Sequence, residues 1–214
     1  MRIQNKLAFT LAEVLITLAI IGVVAAMTIP TLISNYEEKA TVTKVKQFYA
    51  MLNQTLMLAV VENGDISSWN YLEVSDFAKY IKPHLKVVRD CGISSGCLAD
   101  VTYNYLNGTQ KGGANYDSND DYYKMVLANG SHMWFETDNV SDVKVQFFYD
   151  VNGKNGPNAW GKDLFNFLLY DNSNKLVPEF ADDCYLDSYG YGCTQFVLTN
   201  GHMNYPAKQP IVEE

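Results

Sequence analysis

Residues 8–33 read AFTLAEVLITLAIIGVVAAMTIPTLI, and between Leu7 and Tyr36 the only charged side chain is Glu13. About 20 apolar residues are needed to cross a bilayer as a helix, and this run is long enough. From Asn35 the pattern becomes amphipathic. Val42, Val45, Tyr49, Leu52, Leu56 and Val60 recur at steps of three and four, with Lys39, Lys44, Lys46, Gln47, Asn53 and Gln54 between them. That spacing puts one apolar face on a helix. Asn63-Gly64 is a stop signal. The pattern predicts one helix over about residues 10–62, roughly 80 Å long at 1.5 Å per residue. Its second half must bury its apolar face against the rest of the chain.

Beyond residue 63 the signals shorten. Ser75 is placed to cap a short helix carrying Phe77, Tyr80, Ile81 and Leu85 on one side, with Pro83 kinking or ending it. Residues 94–121 are rich in Gly, Asn, Asp and Ser and read as a long connecting loop. Strand patterns follow. Lys124–Ala128 and His132–Glu136 flank Asn129-Gly130, a hairpin expected to turn as type I′. Val143–Asp150 alternates. Leu164–Tyr170 is another strand, turning through residues 171–174 toward Leu176. Gln195–Thr199, Asn200-Gly201 and His202–Tyr205 suggest a second hairpin. One long helix followed by antiparallel strands predicts an α+β fold, a sheet wrapped over the helix.

Charge adds orientation. The 214 residues carry 16 Lys+Arg against 24 Asp+Glu, a formal net charge of −8. Residues 1–34 hold only Arg2, Lys6 and Glu13, so the negative charge lies beyond them. An acidic chain lacks the basic face that nucleic-acid binding requires. Arg2 and Lys6 precede the apolar run while Glu37 and Glu38 follow it. Positive residues stay cytoplasmic, so the short N-terminus is expected inside and the remainder outside. All four cysteines fall on that exported side. Cys91 and Cys97 bracket CGISSGC, and Cys184 and Cys193 bracket CYLDSYGYGC. Four cysteines allow three pairing schemes, and the local one, Cys91 with Cys97 and Cys184 with Cys193, is the simplest. The N-terminus admits two readings. A secretory signal peptide would be cut after Ala26. Against it stand Glu13 at the start of the apolar stretch, a helical pattern unbroken across that cut, and an apolar run reaching Ile33.

The segment KLAFTLAEVLITLAIIGVVAAMTIPTL resembles the N-terminus of type IV pilins and type II secretion pseudopilins, with the likeness strongest over about residues 5–62. In that family a short basic leader is cut on the cytoplasmic side by a prepilin peptidase, just before a Phe that is then N-methylated, and the fifth mature residue is Glu. The resemblance implies a leader at residues 1–8, a cut between Ala8 and Phe9, methylation at Phe9, and an assembly role for Glu13. Ala8 stands where the family usually has Gly. Pro30 falls where many pilins carry a helix-breaking proline. The implied organisation is a leader (1–8), a transmembrane half of the helix (9–34), its amphipathic half (35–62) and an exported globular domain (63–214) with the pilin-like roll. In that roll the helix packs on an antiparallel sheet and the 184–193 cysteine loop staples the C-terminal region. A carboxylate in hydrocarbon costs about 2.5–3.5 kcal/mol on insertion scales, and cleavage creates a partner for it. The Glu13 carboxylate of one subunit is expected to meet the Phe9 amine of the next.

One loop carries candidate chemistry. In DVNGKNGPNAWGKD, Asp150 and Asn152 share the first spacing of a calcium loop. Lys154 and Gly161 stand where further oxygen ligands belong. Asp150, Asn152, Asn155, Asn158 and Asp163 make up a candidate calcium set in some other geometry, set against a turn-rich connector without metal. His84, His132 and His202 are scattered, and no nucleophile–base constellation or nucleotide-binding signature is present. The expectation is a non-enzymatic structural subunit, pilin or pseudopilin, with no cofactor beyond the calcium candidate. It would sit in the inner membrane as a single-pass protein and then in a filament. Its partners would be copies of itself, other pilin-like subunits, prepilin peptidase, an assembly platform and a cytoplasmic ATPase. The competing reading is a secreted or anchored binding domain that never polymerises.

Overall fold

The computed structural model of the chain describes residues 10–138, 142–170, 175–179 and 182–207. The turn expected at residues 171–174 lies outside them. The architecture is α+β, a long N-terminal apolar helix followed by a six-stranded antiparallel sheet. Two compact units are present, Met1–Ala40 and Thr41–Glu214.

Helix α1 spans Leu11–Asn63 and passes through Pro30 without interruption. It closes because Gly64 adopts φ +81°, which lets its N–H reach Val60 O at 2.9 Å. Asn63 Nδ2 adds a bond to Ala59 O at 2.9 Å. Within the first unit the large apolar side chains of α1 are exposed, from Leu11 to Ile33. In the second unit Val42, Val45, Phe48, Leu52, Thr55, Leu56 and Ala59 are buried. Tyr49 and Val60, expected on this face, pack at its margin.

Helix α2 spans Val74–Ile81 and runs into a 3-10 turn at Lys82–His84 that contains Pro83. Its N-cap is Glu73, so Ser75 lies inside the helix and is not its cap. The strands are β1 (Val87–Gly92), β2 (Thr102–Asn104), β3 (Gln110–Asn115), β4 (Tyr123–Leu127), β5 (His132–Thr137), β6 (Val143–Asp150), β7 (Leu164–Tyr170) and β8 (Leu176–Pro178). The main sheet runs β1-β4-β5-β6-β7-β8, and β2 and β3 form a separate pair. Strand β1, at one edge, pairs with β4 through two register shifts, between Val87 and Arg89 and between Asp90 and Gly92.

The sheet is covered on both faces. Met125, Phe135, Val145, Phe147, Tyr149, Phe167 and Leu169 share the main core with α1 and with Phe77 and Ile81 of α2. Phe48 stacks on Tyr149 with ring centroids 4.0 Å apart. On the opposite face Trp134 and Phe148, cross-strand partners, join Tyr103, Tyr116, Tyr122, Trp160 and Leu98 in a second cluster. This is why β4–β7 read as nearly continuous apolar runs instead of clean alternations.

Three further expectations are corrected. The segment 94–121 is not a bare loop, since β2 and β3 lie in it and Tyr103 and Tyr116 cover the outer sheet face. The β4–β5 hairpin forms where expected, but among the loop residues only Gly130 has positive φ, +80°. With Gly130 N–H on Leu127 O at 3.0 Å and Leu127 N–H on Ser131 O at 2.9 Å, this is a three-residue loop ending in a left-handed glycine, not a type I′ turn. The second hairpin is absent. Residues Cys193–Asn200 form helix α3, and Gly201 at φ +73° caps it. Cys193, Thr194 and Val197 are buried at helical spacing, so Asn200-Gly201 ends a helix instead of turning a strand.

Leu52, with no exposed surface, is expected to cost about 2–5 kcal/mol when cut to Ala. Val61 is 83% exposed and its change to Ala should stay within about 0.5 kcal/mol. Urea unfolding of the detergent-purified protein, followed by tryptophan fluorescence, compares the two. Equal effects would contradict this packing.

Candidate functional site

The first functional element is the start of α1. Thr10 stands ahead of the first helical turn, and its N–H and Oγ1 both donate to Glu13 Oε2 at 2.8 Å. Glu13 N–H returns a bond to Thr10 Oγ1 at 3.3 Å. This reciprocal pair is a capping box, Thr-x-x-Glu, which satisfies helix donors that have no partner along the chain. Reasoning from the sequence looked for a partner to Glu13 only in a neighbouring subunit. The Thr10-Leu-Ala-Glu13 spacing itself carried the signal for the local one. Ala8 and Phe9 lie outside the described residues. α1 is long and apolar enough to cross a membrane, and none of its most apolar stretch is buried among the described residues.

The second element is a pair of stapled loops. Disulfides join Cys91 to Cys97 and Cys184 to Cys193. Each loop is also braced by an aspartate. Asp117 accepts from Gly96 N–H and Leu98 N–H, both at 2.7 Å. Asp183 accepts from Tyr191 N–H at 3.2 Å and Gly192 N–H at 2.6 Å. The first loop holds a further residue that its sequence did not single out. Lys124 of β4 is fully buried, and its ammonium donates to Ile93 O at 2.7 Å, Asp117 O at 3.1 Å and Ser94 O at 3.5 Å. Burial lowers its pKa. Three carbonyls replace the water an ammonium would otherwise keep.

The third element is the 150–163 loop. Asp150 and Asp163 are buried. Asp150 Oδ2 accepts from Tyr103 OH at 2.8 Å, while Oδ1 accepts from Asn152 N–H at 3.1 Å and Gly153 N–H at 2.9 Å. Asp163 accepts from Asn158 N–H at 2.8 Å and Ala159 N–H at 2.7 Å. The loop is tied to β2 by Asn104 N–H on Asn158 O and Trp160 N–H on Asn104 O, and to α1 by Lys44 Nζ on Val151 O at 2.8 Å. Of the candidate calcium set, Asp150 and Asp163 thus already hold the loop's own donors. Asn152 bonds Gly156 O and exposed Asn155 bonds Asn152 O. Among the described residues no three His, Cys, Asp or Glu side chains are arranged to hold a metal ion.

Residues 31–209, most of the chain, match a family of unknown function (DUF6613). The chain belongs to that family. In this DUF6613 chain residues 3–29 also match the prokaryotic N-terminal methylation motif, the prepilin cleavage signal of type IV pilins and pseudopilins. That match supports a pilin-like substrate of prepilin peptidase, and together with the apolar α1 it points to membrane anchoring. No curated protein and no solved structure matches the chain.

The buried acids make the stability of this DUF6613 chain pH-dependent. Burial, and then the charge of Asp163, push Asp150 up to about 7 from 3.8. Burial also raises Asp163. Cross-strand His132 is lowered to about 4 by burial and by Lys154, which gives the opposite slope. A carboxyl raised in the native state contributes stability that is complete below its unfolded pKa and lost as pH rises through the native one. Asp150→Asn keeps the Oδ1 acceptor and removes this titration. Its stability relative to wild type should therefore improve steadily from about pH 4 to about pH 7. Urea midpoints across that range test this, and a constant difference between the two proteins would refute it.

Proposed function

We propose that the chain is a pilin or pseudopilin subunit, cut by prepilin peptidase between Ala8 and Phe9 and N-methylated on Phe9. Residues 1–8 are the leader, 9–34 the membrane half of the helix, 35–62 its amphipathic half and 63–214 the exported globular domain. The observation that carries this reading is the methylation motif at residues 3–29 opening directly into the apolar helix α1. The chain enters the cytoplasmic membrane once, N-terminus inside. It then moves with copies of itself and other pilin-like subunits into a type IV pilus or a type II secretion pseudopilus, leaving its globular domain periplasmic or extracellular. Prepilin peptidase, a membrane assembly platform and a cytoplasmic ATPase are its partners. Its work is mechanical, in protein secretion, adhesion, motility or DNA uptake, and it performs no catalysis.

Glu13 has a defined part in this reading. Before assembly the Thr10 donors hold its carboxylate, which offsets part of the cost of keeping a charge in hydrocarbon. In the filament the methylated Phe9 amine of the adjacent subunit supplies the missing cation and sets the axial register. Pro30 removes one backbone donor from the membrane half and lets that half yield when helices pack closely.

The mass of the N-terminal peptide, taken from membranes and from sheared fibres, tests the processing. An N-methylated Phe9 is expected. A start at Met27 would mean an ordinary secreted domain, and an intact Met1 a permanent anchor. Glu13→Leu should insert and be cleaved normally yet fail to enter fibres. Wild-type incorporation of that variant would remove the assembly role.

A further inference from the structure

The sequence contains six Asn-Gly pairs, at residues 63–64, 107–108, 129–130, 152–153, 155–156 and 200–201. Asn-Gly is the dipeptide best suited to cyclise on itself, because the nitrogen after the asparagine carries no side-chain obstruction. The attack requires that nitrogen to be free to swing onto the asparagine Cγ.

In five of the six pairs it is held. Gly64 N–H bonds Val60 O, Gly108 N–H bonds Tyr105 O, Gly130 N–H bonds Leu127 O and Gly201 N–H bonds Val197 O, at 2.9–3.0 Å. Gly153 N–H bonds the buried Asp150 carboxylate at 2.9 Å. All five glycines also sit in the left-handed region, at φ between +69° and +85°, where the turn or cap they form fixes the peptide plane. Gly156 differs on both counts. Its N–H makes no hydrogen bond among the described residues, and its φ is outside the left-handed region. Asn155 and Gly156 are both exposed to water.

We propose that Asn155 is a self-modification site, converted to a mixture of aspartate and isoaspartate. The Gly156 nitrogen attacks Asn155 Cγ. A bond forms between them, the Cγ–Nδ2 bond breaks, and ammonia leaves carrying the proton from the Gly156 nitrogen. Water then opens the succinimide at either carbonyl, giving aspartate or its backbone-lengthened isomer. No other reagent is required. The product loses the Asn155 Nδ2 bond to Asn152 O and sets a new carboxylate against that carbonyl. The modification thus loosens the turn that Asp150 and Asp163 anchor, and it adds negative charge to a loop already holding two buried acids.

The test is incubation of the full-length protein in detergent at mildly alkaline pH, with peptide mapping by mass spectrometry and an isoaspartate-specific methyltransferase assay. Asn155 should convert roughly fivefold or more ahead of the other five asparagines, the ratio set by one net backbone hydrogen bond. Gly156→Ala is a clean control. A Cβ there meets only Asn158 Nδ2 at 3.9 Å, so the variant folds while its methyl group shields the attacking nitrogen and suppresses conversion. Conversion of another Asn-Gly pair at an equal or faster rate, or an undiminished rate in Gly156→Ala, would overturn the proposal.

Discussion

The second half of α1 buries one face on the inner face of the sheet, and the rest of the structure is arranged around that contact. Val45, Phe48, Leu52 and Leu56 are fully or almost fully enclosed there, and the Phe48 ring packs against those of Tyr149 and Phe167. Most of a helix's stability in a protein comes from packing its amphipathic face. Six strands supply the width, α2 seals one side through Phe77 and Ile81, and α3 contributes Val197. The helix is one uninterrupted element although its composition changes near Asn35.

Legibility followed the strength of the local signal. The long helix was readable because an apolar run and a three–four period cover dozens of residues, and Asn63-Gly64 ended it where a left-handed glycine does so in the structure. The β4–β5 hairpin and strands β6 and β7 were readable from apolar runs bounded by turn residues. Strand β1 escaped notice because Val87–Gly92 includes Arg89 and Asp90, lies at an edge, and shows little burial. Strands β2 and β3 were hidden in a Gly- and Asn-rich stretch whose buried tyrosines declare themselves only once a second sheet face needs covering. Asn200-Gly201 misled because the same dipeptide serves a hairpin and a helix C-terminus, and only the burial of Val197 beside Cys193 decides between them. At the N-terminus, Glu13 was recognised from resemblance, while its contact with Thr10 was equally present in the spacing.

The acidic composition also changes meaning. Net charge excluded a basic nucleic-acid-binding face, but it did not show that several aspartates serve as clamps on irregular backbone. Asp117, Asp150, Asp163 and Asp183 each accept two main-chain N–H groups. Such acceptors satisfy donors that loops cannot pair along a ladder. Two acceptors on one side chain suit loops that must keep shape without regular structure. Lys124 does the converse job for carbonyls. Two of these clamps coincide with the cysteine loops, so covalent and electrostatic restraint act on the same segments.

The double register shift in β1 has a consequence for how such a protein survives crowding. An edge strand with a regular ladder is a template for another chain's strand, and a protein concentrated among its own copies is exposed to that hazard. Bulges twist an edge away and break the spacing that a second strand would need. With Arg89 and Asp90 beside those irregularities, this border of the sheet is a poor seed for amyloid-like stacking. Growth of the sheet across this edge is thereby discouraged.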